Sequence, residues 1–504
     1  MPCVIAVDAG TTGIRALAID LSGAVVDVSY RELTQYFPRP AWVEHDPAEI
    51  WDSVAATITE VALRQHAEGR PVAAIGVTNQ RETVVAWDRR TGTPLHRAIV
   101  WQDRRTAERC DELRELGHLP FVRQRTGLVP DPYFSATKMH WLIDEGGVAT
   151  NPDLVLGTVD AWVVWNLTGG TAGGVLATEP SNASRTLLLD IGTLSWSEEL
   201  CELFGVPMSA LPELRPSCGR FGVVGGDLAT VDALEGVPVS GIAGDQQAAL
   251  FGQACFERGM AKATYGTGTF VLSNIGSVLG EPAEGLLTTV AWDLAEHAAP
   301  SPSVVYALEG AVFSTGSAIQ WLRDGLGLIA DASETGPIAG LTPDTEGVYF
   351  VPAFTGLGSP WWDPYARAAI TGLTRGSGKA HLTRAVVESI AHQVRDVVDT
   401  MRETGAQIAA LRVDGGASVM DLLLQLQADQ IRVPVTRPTT TETTALGAAT
   451  MAGLAEGVWG NLDDLAGLWH ADVEYEPRAS AVSADSAHAG WRRAVERSLG
   501  WALP

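Results

Sequence analysis

Two short apolar runs, residues 4–7 and 14–19, flank the polar stretch Asp8-Ala-Gly-Thr-Thr-Gly13 near the start of the chain. β-Branched residues on either side of a Gly/Thr turn predict a hairpin. Asp46 followed by Pro47 has the form of a helix N-cap and first helical position, and the apolar spacing after it predicts a helix to about His66. Residues 73–78 read as a buried strand that runs into Asn79-Gln-Arg-Glu-Thr83, an abrupt polar cluster before the apolar residues 84–87. Polar residues so placed line a site at the edge of a sheet, unless Arg81 and Glu82 simply pair with each other. Residues 98–101 form another short strand that ends in Trp101, and Tyr133 to Glu145 is a loop entering a helix whose Met139, Leu142 and Ile143 point to a core. Periodicity leaves residues 157–165 open between a strand and a buried helix, and residues 207–239 read as connecting chain.

In the middle of the sequence, residues 239–243 predict a buried strand, Gly244 a turn and Gln246 onward a helix, so Asp245 stands at a strand-to-helix corner. There it either N-caps the helix or faces a cleft. The pattern then restarts. Residues 262–273 repeat strand, Gly/Thr turn and strand, as in 4–19, and residues 410–418 repeat the strand, glycine corner and helix of 241–252. A repeat of this kind predicts a duplicated α/β lobe, divided at residues 1–251 and 252–504, with a nucleotide between the lobes. Farther on, residues 316–321 start a helix with Gln320 one turn in, residues 354–363 form a loop rich in Gly, Pro and Trp, and residues 385–401 and 422–431 are amphipathic helices.

A chain of 504 residues exceeds what one core serves, which agrees with two lobes. The formal charge of -25 argues against nucleic acid or anionic membrane as a partner. Five scattered cysteines without metal-ligand spacing, no basic N-terminal region and no apolar run of about 20 residues place the protein in the cytoplasm, without an integral membrane segment. Gly/Thr turns expose N–H groups and hydroxyls that cradle phosphate oxygens. Asp8 at the mouth of the first turn would repel phosphate unless a cation stood between them, which implies Mg²⁺ held through water. Asp245, able to accept a hydroxyl proton, completes the minimum for phosphoryl transfer to an alcohol.

With these residues in view, the chain resembles the FGGY carbohydrate kinases of the actin-like (ribonuclease H-like) ATPase fold, and among them the glycerol kinases. The resemblance rests on Trp42-Val-Glu-His-Asp-Pro47, on Ile75 to Thr83, on Tyr133 to Glu145, on Gly241 to Gly252, and on Trp362-Asp-Pro-Tyr-Ala-Arg367 with Ala368 to Glu388. It implies ATP-dependent phosphorylation of glycerol to sn-glycerol 3-phosphate, with polyol groups in the first lobe and nucleotide groups in the second. Glycerol contacts fall to Arg81, Glu82, Trp101, Tyr133, Asp245, Gln246 and Phe270, and Asp245 is the base. Nucleotide contacts fall to Gly10, Thr11, Thr12, Arg15, Thr267, Gly316, Gln320 and Gly416, and Asp8 holds hydrated Mg²⁺. The expected assembly is a homo-oligomer, dimer or tetramer.

Departures from the family pattern are confined to a few places. Family members usually carry Asp-Gln-Gly-Thr-Thr-Ser-Ser-Arg in the first hairpin, against Asp8-Ala-Gly-Thr-Thr-Gly-Ile-Arg15 here, and Met420 stands where Asn is usual near the base. Gly225-Gly-Asp-Leu replaces a Gly-Gly-Thr-Arg loop that binds fructose 1,6-bisphosphate in some relatives, and its acids predict freedom from that control. A kinase of another polyol or ketose, and a non-catalytic actin-like sensor, are the alternative readings. The full set of pocket residues opposes the first, and the presence of Asp8 and Asp245 opposes the second.

Overall fold

In the computed structural model, which describes residues 1–295 and 303–502, the repeated sequence pattern becomes two mixed sheets of matching order. The first contains β1 (Cys3–Ala9), β2 (Gly13–Ile19), β3 (Val25–Glu32), β4 (Val72–Asn79), β5 (Arg220–Val223) and β6 (Pro238–Gly244), in the order β5-β6-β4-β1-β2-β3. β1, β2 and β3 are antiparallel neighbours, β4 and β6 join in parallel, and β5 closes the edge antiparallel. Every residue of β1 is buried, which is why its sequence runs apolar without alternation.

The second sheet contains β7 (Ala261–Tyr265), β8 (Thr269–Gly276), β9 (Leu287–Asp293), β10 (Val304–Val312), β11 (Leu411–Asp414), β12 (Val435–Pro438) and β13 (Ala471–Tyr475), in the order β9-β10-β8-β7-β11-β12-β13. Three antiparallel strands, two parallel ones and an antiparallel edge recur in the same sequence, with β9 added beyond β10. The predicted duplication is therefore present as topology.

The helices follow their sequence signals closely. Helix α1 (Pro47–Ala67) starts where Asp46 accepts the Ala48 N–H at 2.9 Å, and α2 (Ser135–Asp144) buries Met139 and Leu142. The open segment at 157–165 proves to be both alternatives in succession. The strand Leu154–Thr158 turns directly into α3 (Val159–Leu167), a helix buried nearly all round, so it has no polar face for periodicity to reveal. The segment 207–239 is more than connecting chain, since it supplies β5.

Five further helices are α4 (Asp245–Gly252), α5 (Gly316–Asp324), α6 (Lys379–Glu403), α7 (Asp421–Ile431) and α8 (Thr443–Ala455). Although α8 lies late in the chain, it covers the first sheet, against β1, β4, β6 and α4. The backbones touch there. A Cβ on Gly76 would lie 2.2 Å from the Ala448 carbonyl oxygen, and one on Gly447 would lie 1.9 Å from that of Ala248. Val4, Ala6 and Leu17 share one apolar layer with Ala445, Ala448 and Met451, so the halves are joined by a common core beside the cleft.

Candidate active site

β4 and β6 run in parallel with Gly244 beside Asn79, so the segments that follow them emerge side by side at their carboxyl ends. The polar cluster 79–83 thus ends a central strand, where open α/β sheets bind ligands, rather than lying at the sheet's edge. Glu82 takes a φ of 60°, a left-handed conformation that costs backbone energy and is held by the buried surroundings. Asp245 is the first residue of α4, and Gly244 occupies the cap position. The carboxylate therefore does not serve as an N-cap. Its Oδ1 accepts the Gln246 N–H at 2.7 Å and faces Arg81 Nε at 3.2 Å, and about a third of the side chain is open to the cleft.

Below this carboxylate lies a buried ion network that crosses between the halves. Glu309 on β10 accepts from Arg81 Nη1 at 2.6 Å and from Arg185 Nη2 at 2.8 Å, and Arg185 Nε donates to Glu82 at 2.7 Å. Arg81 also donates to the Tyr133 hydroxyl at 3.2 Å, while its distance to Glu82 is 3.8 Å. Arg81 and Glu82 thus each have a closer partner than the other. Lys262 on β7 donates to the Gln246 side-chain oxygen and, at 2.8 Å, to the Thr264 hydroxyl. Because the ammonium takes the oxygen, the Gln246 amide keeps its NH₂ group for other partners.

Burial dominates the electrostatics. It pushes Asp245 and Glu82 above the usual carboxylate range, against the pull of Arg81 on both. Burial would raise Glu309 too, but Arg185 and Arg81 hold it below its ordinary value. Lys262 is brought down to about 8 by burial, with Asp414 opposing. An ionised Glu309 and a carboxylate of raised basicity at Asp245 are the arrangement expected of a structural anion beside a proton acceptor.

Three aromatic rings wall this floor. Trp101 meets Tyr133 and Phe270 edge-on, with ring centroids 5.7 and 6.3 Å apart. Together with Arg104, Thr267 and Phe313 they border a cavity of about 160 Å³, suited to a very small ligand. Trp101 itself lies two residues beyond the strand Ala98–Ile99, and its indole N–H donates to the Thr11 hydroxyl at 2.9 Å. The aromatic wall and the first Gly/Thr turn are thereby tied together.

A larger cavity of about 670 Å³ opens beside the second Gly/Thr turn, and Thr267, Gly316, Gln320, Gly416 and Met420 all line it. Met420 ends the tight turn Gly416–Val419 before α7, faces this cavity and also packs on the edge of the second core. Across the cleft, Asp8, Gly10, Thr12, Gly13, Arg15 and Tyr30 border a third space of about 370 Å³. Arg15 bridges Asp8 at 3.3 Å and Glu442 at 2.9 Å. Burial raises Asp8 to about 6, with Arg15 opposing and Asp245 and Glu442 adding to the rise.

The sequence reading passed over Glu309, Arg185, Lys262 and Gln247. Glu309 alone interrupts the apolar run 304–312, Arg185 is the one charge among the small residues 181–186, and Lys262 is one of three lysines in the chain. A lone charge inside a strand that is otherwise apolar was the available signal.

Comparison with known proteins places the chain in a family. The profile of the FGGY family of carbohydrate kinases, N-terminal domain, matches residues 3–252, and that of the C-terminal domain matches residues 261–456. Glycerol kinase 2 of Thermotoga maritima is 49% identical over 506 residues, covering 99% of each chain, and the glycerol kinase of Halorhodospira halophila is 51% identical, covering 99% of this chain and 97% of its own. The crystal structure of Plasmodium falciparum glycerol kinase with ADP superposes with a TM-score of 0.90 at 35% identity, covering 99% and 98% of the two chains. A xylulose kinase from Lactobacillus acidophilus, at 21% identity and a TM-score of 0.88 over 99% of each chain, shares the fold. The chain belongs to the FGGY family of carbohydrate kinases.

Proposed function

We propose that this protein transfers the γ-phosphoryl group of ATP to glycerol, giving sn-glycerol 3-phosphate, in the cytoplasm. Supporting this most directly is the floor of the cleft, where Asp245, Arg81, Glu82, Gln246 and Tyr133 converge beneath Trp101 and Phe270. The polar groups can bond three hydroxyls while the rings pack on a three-carbon chain. The full-length similarity to glycerol kinases supports the same reading.

In this reading residues 1–251 supply the polyol groups, the first phosphate hairpin and the base, and residues 252–504 bind the nucleotide. Adenosine occupies the large cavity by Gly316, Gln320, Gly416 and Met420, and the phosphates extend between Thr267 and the turn of Gly10, Thr11, Thr12 and Arg15. The ADP complex of the similar Plasmodium enzyme favours a nucleotide of this class. Asp8 fits a hydrated Mg²⁺: its buried carboxylate borders an open space and is raised by burial with Asp245 and Glu442 adding, so a cation would relieve it. Among the described residues no three His, Cys, Asp or Glu side chains cluster for a metal, so water and phosphate would complete its shell. Bound there, the ion would supply positive charge against the phosphates.

Asp245 takes the proton of a terminal hydroxyl, and that oxygen attacks the γ-phosphorus in line as the bond from the γ-phosphorus to the bridging oxygen breaks, releasing ADP. Arg81, pinned by Glu309, holds the polyol so that only one hydroxyl reaches Asp245. ATP turnover measured over a panel of glycerol, tetritols, pentitols and ketopentoses tests the reading. Glycerol is expected to give the highest kcat/KM, and preference for a pentitol or ketose would overturn it.

Met420 yields a separate expectation. A thioether packs on a base but offers neither the donors nor the acceptor of Asn. One neutral hydrogen bond is worth about 1 kcal/mol, so Met420→Asn is expected to bind ATP roughly five-fold more tightly and to sharpen the preference between ATP and GTP, with glycerol affinity unchanged. Titration of both proteins with both nucleotides is the check, and identical affinities would remove Met420 from the base site.

A further inference from the structure

Strand register sets Tyr30 in line with two residues of the proposed phosphate end of the cleft. Asp8 on β1 stands opposite Arg15 on β2, and Arg15 opposite Tyr30 on β3. Directly opposed residues of neighbouring strands share a face, so the three side chains form one row. All three border the space of about 370 Å³ beside Gly10 and Thr12.

The Tyr30 ring lies across the first Gly/Thr turn. A Cβ built on Gly13 would stand 2.3 Å from Tyr30 Cε2, 2.6 Å from its Cζ and 2.6 Å from the Arg31 carbonyl oxygen. No side chain fits at position 13, so a hydroxyl carried there is sterically excluded. The Tyr30 hydroxyl is carried on the ring that fills that place. It lies 3.4 Å from the Thr12 carbonyl oxygen, long enough that the bond is weak and the phenolic O–H remains able to donate to a better acceptor.

We propose that Tyr30 is a further nucleotide-binding residue, whose phenolic hydroxyl donates to the polyphosphate of the bound nucleotide. This rests on the reading of the first hairpin as a phosphate site. The ring borders that site beside Gly10, Thr12 and Arg15, and its hydroxyl adds a neutral donor there. A donor to a charged phosphate is stronger than a neutral pair.

Tyr30→Phe removes the donor and keeps the ring. Calorimetric titration of the full chain with ATP and Mg²⁺ is expected to show about ten-fold weaker binding for this variant. Glycerol affinity and the melting temperature of the unliganded protein should match the parent, which a purely structural role of the hydroxyl would not allow. Arg15→Met separates the proposal from the reading beneath it. Loss of ATP affinity in Arg15→Met with parental affinity in Tyr30→Phe overturns the role of Tyr30 and leaves the hairpin as the phosphate site. Parental affinity in both variants overturns both.

Discussion

Asp245→Asn is expected to lower kcat by about 10²–10⁴-fold, the range lost when a positioned general base is removed. The amide is nearly isosteric, so it can still accept the Gln246 N–H that Asp245 Oδ1 accepts at 2.7 Å and can still pack beside Arg81. Glycerol affinity should change far less than turnover, because proton acceptance matters in the transition state rather than in the ground state. Stability should move the other way. Burial raises the folded-state pKa of Asp245 above its ordinary value of 3.8, with Arg81 and Lys262 opposing. The unfolded chain therefore releases this proton more readily than the folded one. Stability from this group is greatest below the unfolded value and is lost as pH rises through the folded one, so the ionised carboxylate is unfavourable near neutrality. The neutral amide removes that cost, and the variant should melt at or above the parent temperature. In the parent, kcat should fall on the acid side with an apparent pKa above the ordinary carboxylate value, a limb the variant lacks. Near-parental turnover in Asp245→Asn would sink the mechanism.

What the sequence reveals and what it hides follow from how far apart the interacting residues lie. The two hairpins are legible because each is a local event: apolar runs flank a Gly/Thr turn, and β1 pairs with β2 and β7 with β8 within a few residues. The corner at Asp245 is equally local, and the likeness of residues 239–252 to residues 410–418 exposes the duplication. The seven positions assigned to a polyol rest on family resemblance, and what the structure shows of them is that they lie together. Glu309 was invisible for the opposite reason. Its partners Arg81 and Arg185 lie 228 and 124 positions away, and nothing near Glu309 in the chain announces them. The placement of α8 is similar. Its glycine and alanine run looks like any small-residue helix, and only the close approach of Gly447 to Ala248 and of Gly76 to Ala448 reveals that it roofs the sheet of the other half. Asp245 was balanced between cap and cleft because both uses put a carboxylate at the same corner, and the structure separates them by a single residue, with Gly244 as the cap.

Glu309→Gln is expected to be the most destabilising single change in the cleft. Glu309 is fully buried and takes Arg81 Nη1 at 2.6 Å and Arg185 Nη2 at 2.8 Å, so it neutralises two guanidinium groups that have no water to turn to. Arg185 and Arg81 hold Glu309 below its ordinary value, whereas burial raises Asp245 and Glu82, so Glu309 is the anion on which the two guanidinium groups depend. Loss of Glu309 leaves both guanidinium groups without that anion in a buried site, and breaking a buried pair in this way costs about 3–5 kcal/mol. The network crosses from β10 in one half to Arg81 and Arg185 in the other, so the same change frees Arg81 from the position that meets Tyr133 and Asp245. Glycerol KM should therefore rise together with the loss of stability. Urea unfolding of Glu309→Gln, Arg185→Met and the double variant tests the assignment. Removing both partners takes away a cation along with its anion, so the double variant is expected to be more stable than the sum of the single effects predicts, by a coupling within about 0.5–3 kcal/mol. Additive single effects would show that Glu309 and Arg185 do not act as a pair. A parental unfolding midpoint for Glu309→Gln would show that the buried carboxylate is not what holds Arg81 in place.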